Sequence, residues 1–403
     1  MEAKETVPTP RALATLERPT VPRRRERAMA EIHGTYDERF GAVADVLSAS
    51  LDAGDDVGAS VAVYLEGEPV VDIWGGWVDA EHSAPWERDT ITNVWSTTKT
   101  MTALCALILA DRGELDFYTP VAHYWPEFAA AGKGSIEVRH LMSHTAGLSG
   151  WETPVTFEDL YDWEKATSLL AEQAPWWEPG TASGYHAVTQ GFLVGEVVRR
   201  ISGRSLGTFF ADEVAGPLGA DFHIGLPAAD DHRVARVIGP DMSSMGAGEV
   251  PPMLHRTFSN PPLSVEPSFT EAWRRAEIPA ANGHSNARGV AAAQSVLANG
   301  GEARGVRLLS AKGCEAVFDE QSHGIDLVLG TDLRFGMGYG LSTETWPIGE
   351  HACRWGGWGG SLIVSDLDAR LTFAYVMNRM AAGLVGDTRG ATLLATARQA
   401  LAG

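Results

Sequence analysis

Cysteine is scarce in this 403-residue chain: Cys105, Cys314 and Cys353 stand far apart, with no CxxC pair among them. Their number and spacing argue against a disulfide framework and a zinc ribbon. Free buried thiols in a reducing compartment are expected instead. Positive charge is also in short supply, because 32 Lys plus Arg face 52 Asp plus Glu, a net charge of −20. A surface this acidic repels phosphate backbones and anionic lipids, so no nucleic acid and no membrane is expected as a partner. Solubility is the simplest reading of that charge. No run of about 18 apolar residues occurs, so no membrane span is expected. Several signatures are absent too. No Walker pattern, dinucleotide fingerprint or HExxH is present, and no cofactor or metal is implied. No GxSxG elbow is present, which disfavours the α/β-hydrolase architecture.

What is there reads as an ordinary globular composition, 44% hydrophobic and 21% charged. The length suggests about two lobes. Residues 1–29 are rich in Pro, Glu and Arg, and Arg23, Arg24 and Arg25 are followed by polar residues rather than an apolar stretch. That pattern is a disordered tail, not a secretory signal, and it points to the cytoplasm. Helical spacing of Phe40, Val43, Val46 and Leu47 predicts a helix over 36–53. A hairpin is expected over 59–77, with Glu66-Gly67-Glu68 at its turn. A strand-like segment, 91–95, runs into an apolar-striped helix that begins near Ser96 and closes at Gly113. Helices are expected over 136–143, 157–172 and 187–201, a second hairpin over 361–378, and a closing helix over 388–401. β elements near both ends with helices between predict an α/β (α+β) fold. Its antiparallel sheet, flanked by helices, would be built from both termini, 30–114 and 271–403. A mostly helical lobe, 115–270, is inserted.

Three segments carry chemistry. Ser96-Thr97-Thr98-Lys99 puts a hydroxyl and an amine three residues apart, about 5–6 Å at Cβ on one helical face. Serine is a weak nucleophile until a base takes its proton. Lysine serves as that base only when neutral, a state favoured by burial and by the positive end of a helix. The tetrad alone is a weak pattern, since an N-cap serine followed by a lysine occurs often by chance. Here the lysine lies in an otherwise apolar helix, and partner motifs follow. Gly-rich 179–187 delivers Tyr185, a residue able to relay protons beside a lysine. The segment 355–361, Trp355-Gly356-Gly357-Trp358-Gly359-Gly360-Ser361, lets a backbone approach a ligand and aim its amides. With the amide of Ser96 it supplies a candidate oxyanion hole.

Together these elements resemble the serine β-lactamase fold, class C branch, and within it the family VIII carboxylesterases and their acyltransferase relatives. The resemblance covers roughly residues 33–400. Residues 71–76, 139–148, 335–340 and 373–380 are similar to the family as well. The resemblance implies a β-lactamase/penicillin-binding-protein-like fold, Ser96 as nucleophile, Lys99 as its charge partner or base, and Tyr185 as general base and then acid. It implies the backbone N–H groups of Ser96 and Trp358 as the oxyanion hole. Two positions depart from the lactamase branch. Ala187 stands where that branch has the Asn of Tyr-x-Asn, and Trp355-Gly356-Gly357 stands in place of Lys-Thr-Gly. The groups that would hold a β-lactam's carboxylate and amide are thus missing. Efficient β-lactam turnover is not expected, and bulky Trp355 favours a neutral or aromatic ester.

Of the 13 tryptophans, Trp74, Trp77 and Trp95 are expected in the core. Trp176, Trp177, Trp355 and Trp358 are candidates for an aromatic substrate pocket, with Gly356, Gly357, His186 and His351 beside it. Loops over 150–179 and 239–267 would shape that pocket. His140 and His144 have metal-pair spacing but read as structural. The expected activity is a serine carboxylesterase acting on small-molecule esters through an acyl-enzyme. An acyltransferase using the same residues is the alternative. An amide or D-peptide hydrolase, a β-lactamase and a non-catalytic binding protein on the same fold are weaker ones. The oligomeric state is not legible in the sequence.

Overall fold

The computed structural model describes residues 30–241 and 251–402. The expected disordered tail, 1–29, and residues 242–250 of the expected pocket loop lie outside the described residues. In chain order the strands are β1 (Ile32–Tyr36), β2 (Gly58–Leu65), β3 (Glu68–Gly76), β4 (Thr92–Asn93), β5 (Phe222–His223), β6 (His284–Ser285), β7 (Glu302–Ala303), β8 (Val306–Arg307), β9 (Ser322–Ile325), β10 (Asp332–Phe335), β11 (Gly340–Leu341), β12 (Ala352–Gly356), β13 (Leu362–Asp366) and β14 (Leu371–Met377). Nine of them form one antiparallel sheet in the order β1-β3-β2-β14-β13-β12-β11-β10-β9. Every strand of that sheet comes from 32–76 or 322–377, so the two ends of the chain meet at the β2–β14 pair, Val61 opposite Tyr375.

The central strands are buried on both faces. β14 is buried along its whole length and β2 in all but its last residue, which needs helices above and below. The helix Ala287–Ala298 covers one face. On the other face α1 (Gly41–Ala53) packs with the closing helix Thr388–Ala402. α1 stops at Gly54, which takes the left-handed conformation that only glycine adopts freely. The apolar α2 (Lys99–Asp111) is buried from Lys99 to Leu109 and packs against the helix Thr189–Ser202. This is the β-lactamase/penicillin-binding-protein-like fold, a mixed α/β architecture with an antiparallel sheet.

Several expectations are corrected. The helix expected over 36–53 starts later, as a 3₁₀ turn at Glu38–Phe40 and then α1 from Gly41, because Tyr36 ends the edge strand β1, in which only Ile32 is partly buried, so no alternation marks it. The helix expected over 157–172 is two pieces, Phe157–Leu160 and Trp163–Glu172. Asp162 interrupts it by accepting from the Lys165 N–H and capping the second piece. Trp77 is 39% exposed rather than core, its ring stacked on His82 at 5.0 Å. Trp74 is half-buried. Among the described residues no helix is long and apolar enough to cross a membrane.

Candidate active site

Ser96 sits in a single 3₁₀ turn, Trp95–Thr98, that leads directly into α2. The preceding Trp95 has φ of +49°, a left-handed conformation that costs a tryptophan about 1–3 kcal/mol. The turn is held by β4, whose Asn93 pairs with His284 of β6. It is also held by the Thr98 hydroxyl, which accepts from the Gly283 N–H at 2.9 Å. The strained turn presents the Ser96 hydroxyl while its neighbours Thr97 and Thr98 stay fully buried.

One helical turn on, Lys99 is 1% exposed. Its Nζ lies 3.1 Å from Ser96 Oγ, 2.7 Å from the Ala187 carbonyl and 2.9 Å from the Ala280 carbonyl. No carboxylate offsets its burial, which holds the amine well below its ordinary range. Tyr185, also 1% exposed, donates its hydroxyl to Ser96 Oγ at 2.7 Å. Burial, first among the causes, pushes its phenol up from the usual value; the bond to Ser96 opposes this and the charge of Asp326 adds to it. The Lys99 Nζ is 4.8 Å from the centre of the Tyr185 ring. Lys99 from the same turn and Tyr185 from a distant loop thus converge on the Ser96 oxygen.

β12 ends beside this cluster. Gly357 must be glycine, because a Cβ there would stand 2.4 Å from the Val94 carbonyl oxygen and 2.2 Å from Ser361 Oγ. The Trp358 that follows packs its ring on Trp95 at 5.0 Å. Ser96, Tyr185 and Trp358 line a cavity. Its walls are Trp95, Trp151, Phe157, Phe258, Leu263 and Trp273, and among the described residues its lining carries no charged side chain.

The other expected pocket residues are not in that lining, and each has a physical reason. Trp355 points beneath Tyr185, packed on Phe335 at 5.3 Å and Tyr185 at 5.5 Å. Gly356 faces the other side, against Val385 and Gly386. Gly357 is closed off by Val94 and Ser361, as its spacing shows. His186 is fully buried; its Nε2 accepts from Leu148 N–H at 3.0 Å and its Nδ1 lies 2.6 Å from the Gly184 carbonyl. Burial brings His186 down to about 3, which makes it a neutral structural group. Trp177 supports the tyrosine loop from below, its N–H donating to the Ala182 carbonyl and its ring filling the space over Gly184. His351 pairs with Asp368 on the surface. His140 and His144 each accept a backbone N–H through Nδ1, and no metal-holding cluster is found among the described residues.

Residue-level reading missed Ser149, Thr257, Asn260 and Trp273. They reach the cavity from loops and short helices whose order carries no period, although 150–179 and 239–267 were the segments expected to shape it.

Comparison with known proteins agrees with this architecture. A family model described as Beta-lactamase matches residues 43–397. The esterase/beta-lactamase LipL of Mycobacterium tuberculosis is 37% identical over 368 residues, 88% of this chain and 84% of its own. Esterase EstB of Burkholderia gladioli is 30% identical over 222 residues, 49% of this chain and 56% of its own. The crystal structure of a family VIII carboxylesterase shares 44% identity at a TM-score of 0.87, covering 92% of this chain and 100% of that one. A penicillin-binding protein homologue from Caulobacter crescentus shares 38% at the same TM-score, with the same coverage. With the family's model matched over most of its length and such relatives across nearly all of it, this chain belongs to the beta-lactamase family.

Proposed function

We propose that this protein is a serine carboxylesterase that forms an acyl-enzyme on Ser96 and acts on small neutral or aromatic esters. The observation that carries the reading is Ser96 Oγ held between Lys99 Nζ at 3.1 Å and Tyr185 Oη at 2.7 Å, on the wall of an uncharged aromatic cavity. The names of the relatives support the same reading: LipL is an esterase/beta-lactamase, EstB an esterase, and a family VIII carboxylesterase shares the fold at 44% identity.

In the proposed cycle Lys99 starts as a neutral amine. Its two N–H groups go to the Ala187 and Ala280 carbonyls, and its lone pair faces the Ser96 hydroxyl. Ser96 Oγ attacks the ester carbonyl and its proton passes to Lys99. The backbone N–H groups of Ser96 and Trp358 receive the oxyanion, the interaction that contributes most to such reactions. The alcohol leaves with the Tyr185 proton, giving a phenolate beside an ammonium. Water then gives its proton to the phenolate and attacks the acyl carbon, and Ser96 recovers its proton from Lys99 as the acid departs. Because Lys99 and Tyr185 share Ser96, they titrate as one unit. Among the described residues the lining offers no cation to a β-lactam carboxylate, which favours esters over lactams. The three buried free thiols support the cytoplasm as its location.

The test is p-nitrophenyl butyrate turnover with intact-protein mass measured after brief mixing. Wild type is expected to release nitrophenol by way of a butyryl adduct, and folded Ser96→Ala to do neither. Retained turnover in folded Ser96→Ala would refute the reading.

A further inference from the structure

The tyrosine loop is pinned from a direction the reaction does not explain. The β9–β10 hairpin turns over residues 326–331, and its tip rests on the segment that carries Tyr185. The Leu327 N–H donates to the Ser183 carbonyl at 2.8 Å. Asp326 is fully buried, and its Oδ1 accepts three backbone N–H groups. Two come from its own turn, Val328 and Leu329, both at 2.9 Å. The third crosses to the Tyr185 N–H at 3.1 Å. Asp326 Oδ2 has no hydrogen-bond partner.

A turn needs only a short acceptor at this position, and serine or asparagine serves as well. A buried carboxylate with an unpaired oxygen is a costly choice for capping alone. The bond that a merely local cap would lack is the one to Tyr185. We propose that Asp326 is a positioning residue: it holds the Tyr185 backbone from the hairpin tip and so fixes the phenol on Ser96. This rests on the reading of Tyr185 as the proton donor to the leaving alcohol.

The charges facing the phenol fit that role. Lys99 lies over one face of the ring, neutral in the resting cycle, and His144 packs against it at 5.1 Å. Burial holds His144 well below its usual range, so it adds no cation. Asp326 contributes negative charge, which acts with burial to keep the proton on Tyr185 until the alcohol needs it.

A leaving-group comparison separates positioning from stability. p-Nitrophenolate leaves unaided, whereas ethoxide needs a proton, so a misplaced Tyr185 harms ethyl butyrate far more than p-nitrophenyl butyrate. Tyr185→Phe is the reference, read in kcat/KM, which reports acylation and not the deacylation that both esters share; it is expected to lose about 100-fold or more on the ethyl ester and less than tenfold on the nitrophenyl ester. Asp326→Ser keeps a short cap for Val328 and Leu329 but does not reach Tyr185. It is expected to lose about 10–30-fold in kcat/KM on the ethyl ester and at most threefold on the nitrophenyl ester. Asp326→Asn retains the acceptor and is expected to recover the ethyl ester rate to within about threefold of wild type. Should Asp326→Ser fail to fold, Asp326→Ala read at low temperature takes its place, and the Asn variant alone must still show wild-type-like discrimination between the esters. Equal losses on the two esters, or none, with Tyr185→Phe showing the split, overturn the Asp326 proposal alone. No split in Tyr185→Phe overturns the donor role of Tyr185, and the Asp326 proposal with it.

Discussion

Ser361 Oγ lies 2.9 Å from Thr97 Oγ1, and this contact joins the turn carrying the nucleophile to the loop that follows β12. The same Ser361 hydroxyl reaches the Val94 carbonyl at 2.8 Å, just ahead of the strained Trp95. The two amides proposed to receive the oxyanion, those of Ser96 and Trp358, therefore sit on separate segments stitched by one side chain.

Ser361→Ala removes that stitch and leaves the Val94 carbonyl without this bond in a buried setting. The cost to stability is expected to be about 1–3 kcal/mol. Because the stitch sets the spacing of the two amides, kcat on p-nitrophenyl butyrate is expected to fall about tenfold while KM stays within twofold. Steady-state kinetics with a thermal melt reads both. A drop in stability with kcat unchanged would show that the spacing is held elsewhere.

The cavity wall sets the size of the ester. Phe258 is half-buried and belongs to the short helix Pro252–Phe258, whose neighbours Thr257, Asn260 and Leu263 also line the cavity. Phe258→Ala opens the wall. Lost apolar contact of about 1–3 kcal/mol is expected to raise KM for p-nitrophenyl butyrate roughly tenfold. Bulkier aryl-acetyl esters should gain in kcat/KM relative to butyrate. A panel of nitrophenyl esters measures the shift, and an unchanged ranking would place the acyl group against another wall.

The cluster of Ser96, Lys99, Tyr185 and Trp358 was legible because each member is announced locally. The Ser96–Lys99 spacing falls on an apolar helix start, Tyr185 follows glycines, and Trp358 stands in a glycine-rich strand end. The hairpins β2–β3 and β13–β14 were legible from turn residues between β-rich runs. The cavity walls were not. Trp273 reaches the site because its N–H donates to Asn93 Oδ1, across 180 positions of chain, on the strand that also pairs with β6. Two-residue strands such as β4, β5 and β6 carry no periodicity, and their partners are chosen by the tertiary fold. Trp355 was misplaced for a related reason. Its position in the motif was right, but alternation along β12 turns its ring under Tyr185 rather than into the cavity. Asp326 had no signal at all, since a lone aspartate at a hairpin turn is commonplace.

Lys99 yields a prediction with a fixed sign. Burial without a partner carboxylate lowers its amine well below 10.5. In the unfolded chain the same amine returns to about 10.4. Between the folded and unfolded values the unfolded state binds one more proton, so stability rises with pH across that window. The expected slope is about 1.4 kcal/mol per pH unit. Lys99→Met removes the slope and adds a pH-independent cost for the unmet Ala187 and Ala280 carbonyls. The difference in Tm between wild type and Lys99→Met is therefore expected to grow steadily from about pH 8 to pH 10. His186 does not confuse the reading, because its own window runs from 6.5 down to about 3. Activity follows the same proton in the same direction. In the proposed cycle the neutral amine is the base, so kcat/KM is expected to climb with pH and reach its plateau well below 10.5. Lys99→Arg, charged throughout, should lose at least about 10³-fold with no recovery at alkaline pH. A Tm difference that stays flat with pH would mean that Lys99 keeps its proton in the folded state, and Tyr185 would then have to take the proton from Ser96.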